Sequence, residues 1–216
     1  ASLMSLEELG FSEESLEAYS RSFHKPYGTI MVTGPTGSGK TTTLYATLNV
    51  LNTIRKNIIT VEDPVEYRLP LINQVQVHYK AGLTFASALR SILRCDPDIV
   101  MIGEIRDPES AQIAIESALT GHLVLSTLHT NDAPSALTRL LEMGIEPFLI
   151  ASAVDCVSSQ RLARRLCERC KEPYEPDEEY LEKIGFKWED ESEHVLFRAR
   201  GCPACNNTGF RGRIGI

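Results

Sequence analysis

The sequence predicts an α/β protein with a central, mostly parallel sheet, a phosphate-binding loop and a small separate unit built around four cysteines. Short β-branched runs alternate with segments of helical periodicity, which is typical of β-α units whose helices cover both faces of a parallel sheet. A G-x-x-x-x-G-K-[ST] loop follows the first of these runs. Two C-x-x-C pairs occur within residues 167–216.

The composition is that of a globular protein. Of 216 residues, 43% are hydrophobic and 24% are charged, which excludes a disordered chain, a collagen-like rod and a coiled coil. The 22 basic and 29 acidic residues give a net charge of −7, which argues against nucleic acid as the main partner.

The sequence offers no apolar run near the length of about 20 residues that a membrane span requires. The N-terminus lacks the basic and apolar pattern of a signal peptide. The six cysteines are too sparse for a disulfide scaffold, and their pairing in C-x-x-C units favours metal in a reducing compartment. We therefore expect a cytoplasmic location.

Three regions are predicted along the chain. A helical lead-in covers 1–27, in which Ser5 and Glu8 have capping-box spacing before Gly10, and Ser12 precedes a second, acidic helix start. The phosphate-loop domain covers 28–166 and the cysteine unit 167–216. Within the domain we expect strands at 29–32, 57–61, 99–102 and 123–126, and helices at 44–54, 83–93, 110–119, 133–143 and 148–166. The last residues resemble an interrupted strand, so we expect a fragment of a longer chain.

The phosphate loop has the composition needed to bind a nucleoside triphosphate. Its glycines let backbone N–H groups curl around phosphate oxygens, and Lys40 places a positive charge beside them. The Thr41 hydroxyl is a ligand for Mg²⁺, and the following helix adds its positive dipole end. A strand before the loop and a helix after it disfavour a chance glycine-rich turn. The expected nucleotide-binding residues are Gly34, Pro35, Thr36, Gly37, Ser38, Gly39, Lys40, Thr41 and Thr42.

Carboxylates follow two of the predicted strands. Glu62 and Glu66 lie at the end of the second strand, where Pro64 forces a turn. Carboxylates at this end of a parallel strand face the same crevice as the phosphate loop, so one could orient or deprotonate the attacking water. A solvated turn is the alternative. Glu104 follows the third strand in the Walker B pattern, in which the acid holds Mg²⁺, usually through water.

Two histidines flank the fourth predicted strand. A lone histidine is more often structural than functional. His129, beside Thr130 and Asn131, is better placed to sense a γ-phosphate, whereas a functional and a structural role are equally consistent with His122.

Four cysteines predict a metal site. Cys167, Cys170, Cys202 and Cys205 supply the four thiolates of a closed, tetrahedral and therefore structural zinc site. The 31 residues between the pairs exceed the roughly 15–20 of a compact zinc ribbon, so the intervening segment must form structure of its own. Free thiols or a redox dithiol are the alternatives. Cys95 and Cys156 lack a partner at useful spacing and are expected to be buried small residues.

Four motifs in this order resemble those of the type II secretion and type IV pilus assembly ATPases. Residues 34–41 correspond to the Walker A loop, 59–66 to the aspartate box, 93–107 to Walker B and 120–131 to the histidine box. The resemblance implies a RecA-like motor domain of a homo-hexameric, Mg²⁺-dependent ATPase on the cytoplasmic face of the inner membrane. It also implies two partners, a polytopic membrane platform protein and a membrane-anchoring adaptor.

The resemblance further implies roles for single residues. An aspartate-box glutamate acts as the catalytic base, which matches Glu66 or Glu62; Glu66 is preferred, but the choice stays open. Glu104 serves the magnesium. Secretion and pilus-extension ATPases carry a tetracysteine insert that retraction ATPases generally lack, which favours type II secretion, with pilus extension as the alternative.

The family also carries an upstream domain whose arginines reach the nucleotide. Only about the first two dozen residues here could belong to it, and an arginine finger can contribute ~10³–10⁵ in rate. We therefore expect this fragment to bind nucleotide and to turn it over poorly. Two other classes stay open: a zinc interaction module gated by nucleotide, and a nucleic-acid motor. The one basic cluster, at 160–165, is equally explained by an interface helix.

Overall fold

The computed structural model describes residues 4–186 and 195–216. It divides into two compact units, Ala1–Leu162 with Gly215–Ile216, and Ala163–Ile214. The sequence-based limits at residues 27 and 166 stay predictions. Residues 1–3 of the predicted lead-in and 187–194 of the predicted cysteine unit lie outside the described residues.

The larger unit is built on a six-stranded sheet whose pairings are all parallel. The strand order is β3-β2-β4-β5-β1-β6. The four inner strands β2, β4, β5 and β1 are buried along their whole length, because helices cover both faces. The predicted parallel α/β class is confirmed. The strands are β1 Gly28–Thr33, β2 Ile58–Glu62, β3 Asn73–Gln76, β4 Ile99–Ile102, β5 Leu123–Leu128 and β6 Val154–Ser159.

Two apolar cores lie on opposite faces of the sheet, and β1 contributes to both. Met31 joins the core formed with the helices α3 to α6, whereas Ile30 and Val32 join the core formed with α1 and α2. This alternation follows from the two-residue period of a strand. The helices are α1 Glu13–Phe23, α2 Lys40–Leu51, α3 Phe85–Ile92, α4 Pro108–Leu119, α5 Ala133–Glu142 and α6 Pro147–Ala153.

Most of these helices start at a side-chain cap. The side chains of Ser12, Thr84, Asp107 and Asp132 each accept a hydrogen bond from a backbone N–H in the first turn. Such caps typically contribute about 1 kcal/mol each. The helices α2 and α6 have no such cap. In α2 the residue before the helix is Gly39, with a φ of 88° and no side chain to act as a cap.

Several local predictions are wrong. The segment 148–166 is not one helix but α6, β6 and the strand β7 Leu162–Leu166, because the chain after residue 153 pairs beside β1. The basic cluster 160–165 is therefore extended and forms no interface helix. The short polar strand β3 has no counterpart in the sequence prediction, and 7–9 form a single 3₁₀ turn. Cys95 is exposed and Cys156 half-buried.

In its described residues, the smaller unit has two short sheets, one α-helix and a 3₁₀ turn at Pro203–Cys205. Strand β7 pairs with β10 Phe210–Gly215, and β8 Glu172–Tyr174 pairs antiparallel with β9 Leu196–Arg198. The end residues 162 and 215 of β7 and β10 belong to the larger unit. The helix α7 Glu178–Lys183 lies between the two cysteine pairs. Among the described residues, no helix combines the length and apolar character that crossing a membrane requires.

Candidate nucleotide and metal sites

The phosphate loop joins the end of β1 to the start of α2. One part of the loop packs against the protein and another part faces open space. A Cβ at Gly34, where φ is 140°, would lie 2.2 Å from the carbonyl oxygen of Gln160. At Gly37, with φ 79°, a Cβ would meet no described atom within 4 Å. The loop therefore packs against the end of β6 at Gly34 and faces open space at Gly37. This geometry fits a loop whose backbone N–H groups receive an anion.

Lys40 and Ser38 supply the polar side chains inside this loop. The Lys40 ammonium donates to the carbonyl oxygens of Gly34 at 2.9 Å and Pro35 at 3.0 Å. Burial lowers the pKa of Lys40, and the nearby Glu104 carboxylate opposes that shift. The Ser38 hydroxyl is buried and has no hydrogen-bond partner among the described residues. A ligand rich in oxygen would satisfy it, since buried hydroxyls are normally hydrogen-bonded.

The other expected nucleotide ligands surround these groups. Thr36 is exposed, and Thr41 and Thr42 are half-buried in the first turn of α2. The Thr41 hydroxyl and the Glu104 carboxylate offer the hard oxygen ligands that Mg²⁺ prefers, so this donor set fits a magnesium ion.

Glu62 and Glu66 have opposite environments. Glu62 is 2% exposed, and its carboxylate accepts hydrogen bonds from the hydroxyls of Tyr45 and Thr60 and from the Gln74 amide. The Thr60 and Gln74 contacts measure 2.6 and 3.1 Å. Glu66 is exposed on the loop between β2 and β3. A carboxylate that already accepts from three donors is poorly placed to take a proton from water, so the geometry favours Glu66 as the candidate base.

Glu104 is the centre of a charged cluster beyond β4. Its side chain contacts Arg106 at 2.6 Å and the Nε2 atom of His129 at 3.2 Å. The Glu104 hydrogen bond raises the pKa of Arg106. Asp107 does not pair with Arg106; it caps α4 by accepting from the backbone N–H of Ser110. The structure thus brings Glu104 and His129 together, with Lys40 within electrostatic range of Glu104.

His122 lies at the other end of β5. Its Nδ1 atom contacts the carbonyl oxygen of Ser117 at 3.0 Å, and its own carbonyl accepts from Gly28. Because a strand rises about 3.3 Å per residue, the six residues of β5 place His122 far from the Glu104 cluster. The geometry assigns His122 a structural role.

Two residues for which the sequence predicts no role in the site make hydrogen bonds to α2 and to the segment after β5. Gln160, 8% exposed, accepts a 2.7 Å hydrogen bond from the Thr43 hydroxyl of α2. Arg161 donates to the carbonyl of Asn131, beside His129. Recognising Val154–Ser159 as a strand would have placed both residues at its carboxyl end, beside the phosphate loop.

The four paired cysteines converge in the smaller unit. Their Sγ atoms all lie within 4.8 Å of one another. The Cys167–Cys202 distance is 4.0 Å, and the Cys170–Cys205 and Cys202–Cys205 distances are both 3.8 Å. A tetrahedral zinc ion with bonds of about 2.3 Å separates its sulfur ligands by ~3.8 Å, so the cluster fits zinc. The backbone N–H groups of Cys202 and Gly209 donate to Cys205 at 3.2 Å, which stabilises a thiolate.

Comparison with known proteins gives matches along the whole chain. The family model described as type II/IV secretion system protein matches residues 1–216. The chain is 55% identical over 216 residues to a type II secretion system protein E from Pseudomonas aeruginosa, covering 43% of that protein. It is 53% identical over 214 residues, 99% of the chain, to a type IV pilus assembly ATPase PilB from Myxococcus xanthus, covering 38% of it. The chain thus spans less than half the length of these relatives.

The chain is also similar to solved structures of ATPases. The pilus retraction motor PilT with bound ADP is 36% identical with a TM-score of 0.68, over 78% of this chain and 51% of that one. The VirB11 ATPase of the Brucella suis type IV secretion system, in complex with sulphate, is 29% identical with a TM-score of 0.58, over 69% and 48% of the two chains. Both comparisons agree with the α/β fold class.

Proposed function

Because the chain belongs to the type II/IV secretion system protein family, we propose that it is the nucleotide-hydrolysing part of an ATPase motor that powers type II protein secretion. The observation that carries the proposal is the grouping of functional side chains at the carboxyl ends of neighbouring strands. Lys40 follows β1, Glu104 follows β4 and contacts His129 after β5, and Glu66 is exposed beyond β2. Carboxyl ends of parallel strands are where α/β proteins bind their ligands.

Each residue takes a defined part in the proposed hydrolysis of ATP. The loop 34–41 and the Lys40 ammonium bind the phosphates, and the dipole of α2 favours their negative charge. Thr41 and Glu104 would hold Mg²⁺, which neutralises charge on the phosphate oxygens. Glu66 accepts a proton from the attacking water. His129 contacts the Glu104 carboxylate and serves as the sensor of the γ-phosphate charge.

The zinc site has a structural part in this proposal. Four cysteine ligands leave no coordination position for substrate, so the ion would stabilise the smaller unit and take no part in hydrolysis. Ligand deprotonation and folding of that unit would be coupled to zinc binding.

The whole protein is proposed to act as a homo-hexamer on the cytoplasmic face of the inner membrane. There it would drive assembly of pilin-like subunits through a polytopic platform protein and be held by a membrane-anchoring adaptor. Arginines from the upstream domain would complete the site, so we expect weak turnover from this chain.

Pilus extension is the second candidate function. It is favoured by the PilB relative, whose 53% identity nearly equals the 55% of the secretion relative. Expression of the full-length protein in strains lacking either the secretion or the pilus ATPase distinguishes the two. Restored export of secreted enzymes supports secretion, and restored piliation supports extension.

The enzymatic proposal is tested by Mg-ATP turnover per subunit measured against protein concentration, with Lys40→Ala as the blank. A Lys40-dependent rate per subunit that rises with concentration supports hydrolysis at sites completed between subunits. A zero rate with intact nucleotide binding, even when the upstream domain is supplied, contradicts the motor and favours a nucleotide-gated interaction module. Stimulation of turnover by DNA would instead favour a nucleic-acid motor.

A further inference from the structure

Tyr45 connects the phosphate-loop helix to the aspartate-box segment. It lies in α2, and its side chain is fully buried. Its hydroxyl donates to Glu62 and accepts a 3.4 Å contact from the Nε2 atom of Gln74. Its ring packs edge-on against the ring of Tyr67, with centroids 4.7 Å apart. One side chain of α2 therefore contacts β2, β3 and the loop between them.

The loop between β2 and β3 carries Glu66 and is held on both sides of it. Before Glu66, the backbone N–H of Val65 donates to the Gln76 side chain at 3.2 Å. After it, the carbonyl of Tyr67 accepts from Gln74 at 3.1 Å. The exposed carboxylate of Glu66 thus projects from a loop whose neighbouring residues are both anchored to β3.

The two side chains at the centre of this network, Tyr45 and Glu62, are buried. Tyr45 is 0% exposed and Glu62 is 2% exposed. Burial, followed by the contacts with Glu62, raises the pKa of Tyr45 well above its usual value, so the phenol stays protonated and donates at any working pH. The backbone N–H of Glu66 partly opposes this rise in the pKa of Tyr45.

We propose that Tyr45 is a positioning residue for Glu66, linking the placement of the phosphate loop to that of the carboxylate through Glu62 and Gln74. This inference rests on the proposed function, because the placement of Glu66 matters only if it faces the water that attacks ATP. Helix α2 is continuous from Lys40 to Tyr45, so a phosphate bound at its N-terminus sets the position of the phenol. Tyr45 itself touches no reacting group.

The test compares Tyr45→Phe with the matched control Tyr19→Phe. Tyr19, in α1, is also buried, 2% exposed, and its hydroxyl lies 2.8 Å from the hydroxyl of Thr47 in α2. Among the described residues, it has no hydrogen bond to the loop that carries Glu66. Each variant loses one buried phenol hydroxyl, so a general effect of destabilising α2 appears in both.

In Tyr45→Phe we expect kcat for Mg-ATP to fall roughly 10–100-fold, the cost typical of an ångström-scale misplacement, while KM changes less than about twofold. In Tyr19→Phe both constants stay within about twofold. Gln74→Met, which keeps the side-chain length and removes both polar atoms, is expected to reproduce the kcat loss. Equal kcat losses in Tyr45→Phe and Tyr19→Phe, or a rise in KM alone, overturn the proposal.

Hydrogen exchange separates failure of this inference from failure of the proposed function. The amides of residues 63–70 are expected to exchange faster in Tyr45→Phe than in wild type, and to be unchanged in Tyr19→Phe. Absence of Lys40-dependent turnover in the wild type contradicts the proposed function, yet the exchange comparison still decides whether Tyr45 positions the loop. Unchanged exchange in Tyr45→Phe overturns the inference even where turnover is normal.

Discussion

Replacing Glu62 and Glu66 one at a time separates a buried organising carboxylate from a candidate base. Glu62→Ala leaves the hydroxyls of Tyr45 and Thr60, both 0% exposed, without an acceptor. Each buried unsatisfied donor costs about 1–3 kcal/mol, so we expect the free energy of unfolding to fall by ~2–6 kcal/mol. Gln74 is half-buried and can turn to water, so it adds little.

Glu66→Ala is expected to have the opposite profile. Glu66 is exposed, and surface substitutions usually change stability by no more than about 0.5 kcal/mol. Loss of a general base lowers the rate by roughly 10²–10⁴-fold. The free energy of unfolding is measured by urea denaturation, and turnover by phosphate release at saturating Mg-ATP. Glu62→Gln keeps the side-chain volume and one acceptor, so it provides a folded variant if Glu62→Ala does not fold.

The reasoning is refuted if Glu66→Ala unfolds as easily as Glu62→Ala. It is equally refuted if Glu62→Gln keeps wild-type stability and loses all turnover while Glu66→Gln retains it, because Glu62 would then be the base.

Three further predictions concern separate parts of the chain. Gly34→Ala is expected to destabilise the protein by ~3 kcal/mol or more relative to Gly121→Ala, as measured by urea denaturation. Both glycines have positive φ, but only at Gly34 would a Cβ meet a backbone oxygen at 2.2 Å. Equal losses of stability in the two variants would contradict the packing argument. Cys170→Ser is expected to abolish zinc binding and speed hydrogen exchange in 167–205 while nucleotide affinity is unchanged; equal loss of both would contradict independent units. The hydrogen bonds from Ser135 lower the pKa of Asp132, so this carboxylate stabilises the fold above its unfolded pKa of about 3.9. That stabilisation is lost as the pH falls through the lower pKa of the folded state, so the stability difference between wild type and Asp132→Ala is expected to shrink over that acidic range. A stability difference that stays constant with pH would contradict this prediction.

The inner sheet and its loops could be predicted from local sequence. Each inner strand is a short, mostly apolar run bounded by turn residues, as expected of a strand with both faces buried. The phosphate loop and the C-x-x-C pairs carry their chemistry in adjacent residues. Ser12 likewise marks the start of α1, because its cap is a local hydrogen bond to a residue three positions away.

Non-local contacts could not be predicted in this way. Val154 and Val157 have a spacing that also suits a helix, and only pairing beside β1 makes them a strand. The polar strand β3 lies at a sheet edge, where half-exposed residues lack an apolar signal. The choice between Glu62 and Glu66 depends on donors from α2 and β3, which are adjacent in space and distant in sequence.

The contact between the end of β6 and the phosphate loop has a consequence for folding during synthesis. The hydrogen bond from Thr43 to Gln160 joins residues 117 positions apart, and β6 forms an edge of the sheet. A ribosome releases the phosphate loop long before the strand that packs against Gly34 exists. A nucleotide that binds only the completed loop stabilises the folded chain by RT ln(1 + [L]/Kd). We therefore expect ATP to stabilise the last strand of this sheet to be synthesised, and the protection of residues 154–161 from proteolysis to increase with ATP concentration.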